Sequence, residues 1–224
     1  MPTVRDRIVQ RALLDYLTQK YGNRLANRIS FGFVKNRTVQ QAAKIACSLR
    51  LVHPWVFKTD ITAFFDQIDR SVLAAAIKRI IRDRSLHKLL IEALSLEISP
   101  PSDSVARRIS KLGIKKGRGV RQGMPLSPFF ANLILQPFDN AVVQANFPAV
   151  RYADDLVFFA PNEQKCYEIH SFCRTELGKL TLEIPDISPD SKSCIYPPET
   201  PAEFLGLGLC LINAKERLIN SNQQ

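Results

Sequence analysis

The 224-residue chain is 46% hydrophobic and 23% charged, the balance of a folded domain rather than a disordered tail. Residues 1–123 hold 24 Lys+Arg against 9 Asp+Glu and residues 124–224 hold 7 against 12, so a half of +15 joins a half of −5 within a net charge of +10. The five cysteines form no C-x-x-C pair, Met1 leads directly into charged residues, and no apolar run nears a membrane span; a zinc site, a disulfide framework, a signal peptide and a membrane anchor are disfavoured, and a reducing, cytoplasmic setting is expected.

In chain order, the first predicted element is a helix over Val4 to Tyr21, with Ile8, Leu13, Leu14 and Leu17 on a core face and Arg5, Arg7 and Arg11 in water. Gly22 is its expected stop. After Phe31-Gly32-Phe33 comes a basic turn, Val34 to Arg37, and Thr38 is the expected N-cap of a helix through Leu49. Val56 to Phe65 reads as a buried strand interrupted by Asp60, and Ser71 to Leu96 as two helices. Residues 99–121, rich in Pro, Gly, Lys and Arg, read as a basic loop or hairpin. Pro125 to Val143 reads as a buried helix with Ser127 as N-cap and Pro128 in its first turn. Two strands flank Asp154-Asp155, a helix covers Gln164 to Leu177, and a last hairpin runs from Phe204 to Ile219. This order predicts an α+β fold with helices packed on one face of an antiparallel sheet.

The chemistry centres on Asp154 and Asp155, set in the run Tyr152-Ala153-Asp154-Asp155-Leu156-Val157-Phe158-Phe159-Ala160. Adjacent, poorly solvated carboxylates repel, and a divalent cation held by oxygen ligands would compensate them. A hairpin tip with solvated aspartates is the commoner meaning of Asp-Asp between strands, so the pair needs partners. Asp60 shares the oddity, a carboxylate inside Val56-Phe57-Lys58-Thr59-Asp60-Ile61, and lies 94 residues before Asp154. That separation leaves room for a helical crossover that returns the later strands beside the earlier one. Three carboxylates at neighbouring strand ends suit two Mg²⁺ ions and an in-line phosphoryl displacement. Between them, Gly119 to Asn132 forms a glycine-rich turn feeding a helix, which allows close backbone approach to a ligand. The basic half suits a polyanion lying across it.

Asp60-x4-Phe65-Asp66, Gln122-Gly123-x-Pro125-x-Ser127-Pro128 with Asn132, and Tyr152-Ala153-Asp154-Asp155 resemble motifs A, B and C of reverse transcriptases, in that order. Arg5 to Gln10, Phe31-Gly32-Phe33, Leu180-x-Leu182 with Lys192-Ser193, and Phe204-Leu205-Gly206 extend the resemblance over nearly the whole chain. It is most similar to group II intron and related bacterial, defence-associated enzymes. The resemblance implies a right-hand polymerase palm over residues 58–219 and partial fingers over 1–57. A basic loop or hairpin at 96–121 extends toward the fingers, 220–224 form a tail, and a thumb is absent.

The implied activity is RNA-directed DNA synthesis, in which a primer 3′-hydroxyl attacks a dNTP. Asp60 and Asp154 are the implied metal ligands, completed by Asp155 and assisted by the Ile61 carbonyl, for two Mg²⁺ ions with Mn²⁺ as a substitute. Phe65 matches the steric gate that crowds the sugar 2′ position, and Gln122 with Gly123 matches the platform beside the incoming nucleotide. Lys192 matches a lysine that protonates the leaving pyrophosphate, and Arg37 a fingers arginine for the triphosphate. Phe204, Leu205 and Gly206 match the hairpin that grips the primer. The implied partners are an RNA template, a DNA or RNA primer and dNTPs in a bacterial cytoplasm, with no membrane. A partner chain or a segment outside this sequence is expected to supply the thumb. Two departures mark the chain: Val34 stands where many group II relatives have Arg, and Pro128 where diversity-generating relatives have Gln. Three rival readings stand beside this one. An RNA polymerase is disfavoured by Phe65, where such enzymes commonly carry aspartate. Template-independent synthesis in phage defence is the second, and a catalytically incomplete, maturase-like RNA-binding scaffold the third. Intact Asp60, Asp154 and Asp155 argue against a scaffold.

Overall fold

A computed structural model describes residues 3–97, 100, 102–111 and 113–211. The predicted 220–224 tail and the 212–219 part of the expected last hairpin lie outside the described residues. Helix α1 (Val4–Leu25) opens on a capping box between Thr3 and Asp6. Helix α2 (Val39–Val52) opens on a second one, with Thr38 as the predicted N-cap and Gln41 reaching back to it. Strand β1 (Trp55–Asp60) is followed by a helical turn α3 (Phe64–Gln67) and by α4 (Arg70–Ile80), which Asp69 caps. A 3₁₀ turn at Arg84–Leu86 leads into α5 (His87–Leu94). Helix α6 (Asp103–Lys111) and the mostly buried α7 (Ser127–Gln144) come next. The described residues close with β2 (Ala149–Tyr152), β3 (Asp155–Ala160), α8 (Glu163–Gly178), β4 (Cys194–Tyr196) and a short hairpin, β5 (Ala202–Phe204) with β6 (Leu207–Leu209).

The main sheet has the order β2-β3-β1-β4, antiparallel throughout. Side chains alternate across a strand, and here both faces are covered, which explains the continuous apolar runs Trp55 to Phe57 in β1 and Leu156 to Ala160 in β3. Phe57, Leu156, Phe158 and Ala160 join the larger core with α1, α4, α5, α7 and α8. Phe57 and Phe158 face each other in the register, and their rings stack at 5.9 Å. Val56, Val150, Val157 and Phe159 point the other way, onto Ala42 and Ala46 of α2 and onto Ala202, Phe204 and Leu209 of the hairpin. By the same alternation Asp60 and Asp155 fall on this second face, at the end of the strand pair.

Several local expectations give way to packing. Helix α1 continues through Gly22 to Leu25, because Tyr21 and Leu25 extend its buried face; Ile8 is 65% exposed instead. Ser127 is the first helical residue of α7 rather than its cap, and its hydroxyl donates to the Arg121 carbonyl at 2.7 Å. The basic segment at 99–121 contains a helix, α6, where a loop or hairpin is predicted: Arg107, Arg108 and Lys111 are all good helix formers.

Candidate active site

The three carboxylates meet at one strand end. The β1–β3 register sets Asp60 opposite Asp155, and directly opposed residues lie roughly 4.5–5.5 Å apart at Cβ. Asp154 sits in the two-residue turn closed by Tyr152 and Asp155. The first residue of that turn, Ala153, has φ 57°, a left-handed conformation that is costly for any residue with a side chain. The Ile61 N–H donates to the Asp154 carbonyl at 3.3 Å, so the residue after Asp60 is stitched to the turn.

Burial pushes the Asp154 carboxyl above its usual range, and the neighbouring Asp60 and Asp155 charges add to the push while Lys192 opposes it. Asp155 is raised as well, first by burial; Lys58 and Lys192 draw it down and Asp60 drives it up. Lys192 Nζ lies 3.0 Å from Asp60 Oδ1. Its segment is anchored by the buried Ser193 hydroxyl, 2.7 Å from Thr59 Oγ1. Among the described residues, no three acidic, histidine or cysteine side chains are already gathered around one point. The donor set still fits a hard cation: Asp60, Asp154 and Asp155 offer carboxylate oxygens, burial holds the last two back from ionising, and Asp60 already attracts an ammonium group.

The glycine-rich turn lies against the segment that follows Asp60. Val120 N–H donates to the Phe65 carbonyl at 2.7 Å, and Gly119 N–H to the Ile68 carbonyl at 2.9 Å. A Cβ on Gly119, whose φ is +76°, would stand 2.8 Å from the Asp66 Cα and from the Phe65 and Asp66 carbonyl oxygens. Only glycine allows this approach. Arg70 Nε fixes the Gly119 carbonyl at 2.9 Å, and Glu97 clasps Arg70 and Arg121 at 2.6 and 2.8 Å. Burial works against the Glu97 charge, but bonds from Arg70, the Gly117 N–H and Arg121 outweigh it and hold the carboxyl at about 2. The Phe65 ring is half-buried, 5.1 Å from the Phe64 ring, while Gln122 and Gly123 are exposed on the same loop.

Of the other predicted elements, one packs on this centre, one on the second face of the sheet, and one holds a loop. Gly32 packs so closely on the carboxylate turn that a Cβ there would lie 2.2 Å from the Ala153 nitrogen. The Leu205-Gly206 turn joins β5 to β6, with φ 53° and 75°. Arg37, expected at the triphosphate, donates from Nη1 to the Asn27 and Ser30 carbonyls and lies 5.1 Å over the Phe31 ring. Burial lowers its pKa. Through Nη1 the guanidinium holds the loop before α2.

Three charged residues that the motif reading passes over carry much of the geometry. Arg50, 1% exposed, donates to the carbonyls of Leu209, Pro197 and Thr200 and so ties α2 to the short hairpin. Arg151 and Asp139 form a fully buried ion pair behind the carboxylate turn. Burial pushes the Asp139 carboxyl up and Arg151 opposes it, through two bonds that both need an unprotonated oxygen. The available signal was the same as for the aspartates: a charge inside an apolar run.

A family model described as reverse transcriptase (RNA-dependent DNA polymerase) matches residues 1–209. Protein YkfC of Escherichia coli (strain K12) is 30% identical over 228 residues, covering 82% of this chain and 56% of that protein. The fold is similar to apo telomerase from Candida tropicalis, with TM-score 0.53 and 16% identity over 91% of this chain and 39% of that one. Telomerase of the same organism in complex with a TWJ fragment of telomeric RNA gives TM-score 0.53 and 16% identity over 90% and 35%. The chain thus spans 56% of the curated relative it matches. No helix among the described residues is long and apolar enough to cross a membrane.

Proposed function

The chain belongs to the reverse transcriptase family, and on that premise we propose that its carboxylate site adds deoxynucleotides to a primer 3′-hydroxyl on an RNA template. The observation that carries this reading is the convergence of Asp60, Asp154 and Asp155 at one strand end, from motifs 94 residues apart. Two Mg²⁺ ions, or Mn²⁺ as a substitute, would supply positive charge for the attacking and leaving oxygens of the displacement. Asp60, Asp154, Asp155 and the Ile61 carbonyl are the groups that hold them. Lys192 rests on Asp60; on a long, 69% exposed side chain, it turns to the pyrophosphate and hands a proton to the leaving oxygen.

Phe65 borders the sugar 2′ position, Gln122 and Gly123 flank the base, and Phe204 with the Leu205-Gly206 turn supports the primer end. Arg37 keeps Nη1 on the Asn27 and Ser30 carbonyls and offers its remaining donors, Nε and Nη2, to the triphosphate. In this reading residues 1–57 are partial fingers and residues 58–219 the palm. The basic N-terminal half guides the RNA. A bacterial, group II intron-like enzyme working in the cytoplasm, with a place in antiviral defence, fits the motif pattern. The test is extension of a DNA primer on a heteropolymeric RNA template, with the product sequenced. The reading requires a Mg²⁺-dependent product complementary to the template. A product of unrelated sequence made without template would replace it with template-independent synthesis. RNA binding without any product would leave a scaffold.

A further inference from the structure

Arg151 is the point at which the carboxylate turn, α7 and the Phe31–Phe33 loop meet. Its Nε and Nη2 donate to Asp139 Oδ1 and Oδ2 at 2.6 and 2.5 Å. Nη1 donates to the Ala153 carbonyl at 2.9 Å, and Nη2 also to Asn132 Oδ1 at 3.1 Å. Asn132 Nδ2 passes the connection on to the Gly32 and Phe33 carbonyls at 3.1 and 3.3 Å. Both charged side chains are 0% exposed.

A buried ion pair is weak ground for stability, because apolar residues of similar volume often replace it without loss. A reason for keeping it lies in what else Arg151 touches. The Ala153 carbonyl is the first in the turn, attached to the one residue there with positive φ, and it needs a partner away from water. Next to it, Asp154 is pressed by the like charges of Asp60 and Asp155. Nothing flexible separates the guanidinium from that carboxylate: Ala153 is 7% exposed and packed against the Gly32 backbone.

We propose that Arg151, itself held by Asp139 and Asn132, is the positioning residue for Asp154. It braces the strained Ala153 turn from behind, so that the carboxylates keep their spacing for metal against their mutual repulsion. The same guanidinium links the turn to the Phe31–Phe33 loop, so loop and carboxylates move as one body. This inference rests on the catalytic reading of Asp154 given above.

The test is the double substitution Arg151→Met with Asp139→Leu, which removes both charges at similar volume. The folded variant is expected to melt within about 5 °C of wild type. Its Mn²⁺ affinity, read from the free-Mn²⁺ electron paramagnetic resonance signal, is expected to weaken by about tenfold or more, with the single-turnover extension rate falling by about 100-fold. Wild-type Mn²⁺ affinity and rate in a folded double variant would overturn the proposal. Asn132→Ala keeps the ion pair and removes only one anchor, which keeps the idea testable if the double variant does not fold. Mn²⁺ binding weakened by about threefold or more upholds it there, and wild-type binding overturns it. If wild type itself binds no Mn²⁺ and extends no primer, the catalytic reading fails instead, which is a distinct result.

Discussion

Gly32→Ala tests how closely the Phe31–Phe33 loop is seated on the carboxylate turn. The added Cβ would lie 2.2 Å from the Ala153 nitrogen and 2.9 Å from the Tyr152 carbonyl carbon. Real Cβ contacts begin near 3.0 Å, so the gap must widen by at least 0.8 Å, the difference between 2.2 and 3.0 Å. Both sides of the gap are backbone, so no side chain can swing aside. On the loop side, Phe31 N–H donates to the Arg151 carbonyl at 2.8 Å and Arg151 N–H to the Ile29 carbonyl at 2.7 Å. Losing those two bonds costs about 1–3 kcal/mol, at about 2–4 °C of melting temperature for each kcal/mol in a chain of this size. If the turn yields instead, Asp154 moves by most of an ångström, and a misplacement of that size costs about 100-fold in rate. We expect the single-turnover extension rate to fall by about that factor while the far-ultraviolet circular dichroism melt falls by less than about 12 °C. Gly22→Ala is the control: its Cβ would meet only Thr18 Cγ2, at 3.6 Å. This change inside α1 is expected to stabilise the chain by about 0.5–1 kcal/mol with no change in rate. A Gly32→Ala protein with wild-type rate and melting temperature would refute the close-packing argument.

Phe65→Ala is expected to raise rNTP incorporation relative to dNTP; unchanged sugar discrimination in competition assays would remove the gate assignment. Asp154→Asn is expected to change the pH dependence of stability in metal-free buffer. The folded carboxyl is raised above its unfolded value, so the folded wild type binds the proton more tightly and loses stability as pH rises from about 4 through the folded pKa. The melting-temperature gap in favour of Asp154→Asn should therefore open with rising pH; a gap that stays flat from pH 4 to 7 would contradict the burial argument. Glu97 has the opposite sign, with a carboxyl lowered from 4.5 to about 2. Its contribution is complete above 4.5 and lost as pH falls toward 2. Glu97→Gln should melt below wild type at pH 6 and converge with it in acid, and a pH-independent gap would count against the Arg70–Glu97–Arg121 clasp.

Much of the centre was legible because its oddities are local. Asp60 ends one apolar strand and Asp154 precedes another, Thr38 and Gln41 spell a capping box, and β3 carries an unbroken hydrophobic run from Leu156 to Ala160. What was not legible depends on tertiary partners. Nothing near Arg37 in sequence says that the carbonyls of Asn27 and Ser30 will claim its Nη1. Gly22 signals a helix end, yet burial of Tyr21 and Leu25 carries α1 past it. Asp139 and Arg151 look like isolated charges until α7 and β2 bring them within 2.5 Å. That α2 and the short hairpin would cover the second face of the sheet rests on Arg50 and on contacts with Pro197 and Thr200, about 150 residues away.

The most direct measurement is incorporation of labelled dTTP on poly(rA)/oligo(dT) with Mg²⁺, by wild type and by Asp154→Ala at equal concentration. The carboxylate site described above predicts incorporation by the wild type and only background from the variant. Equal incorporation by both proteins would contradict it.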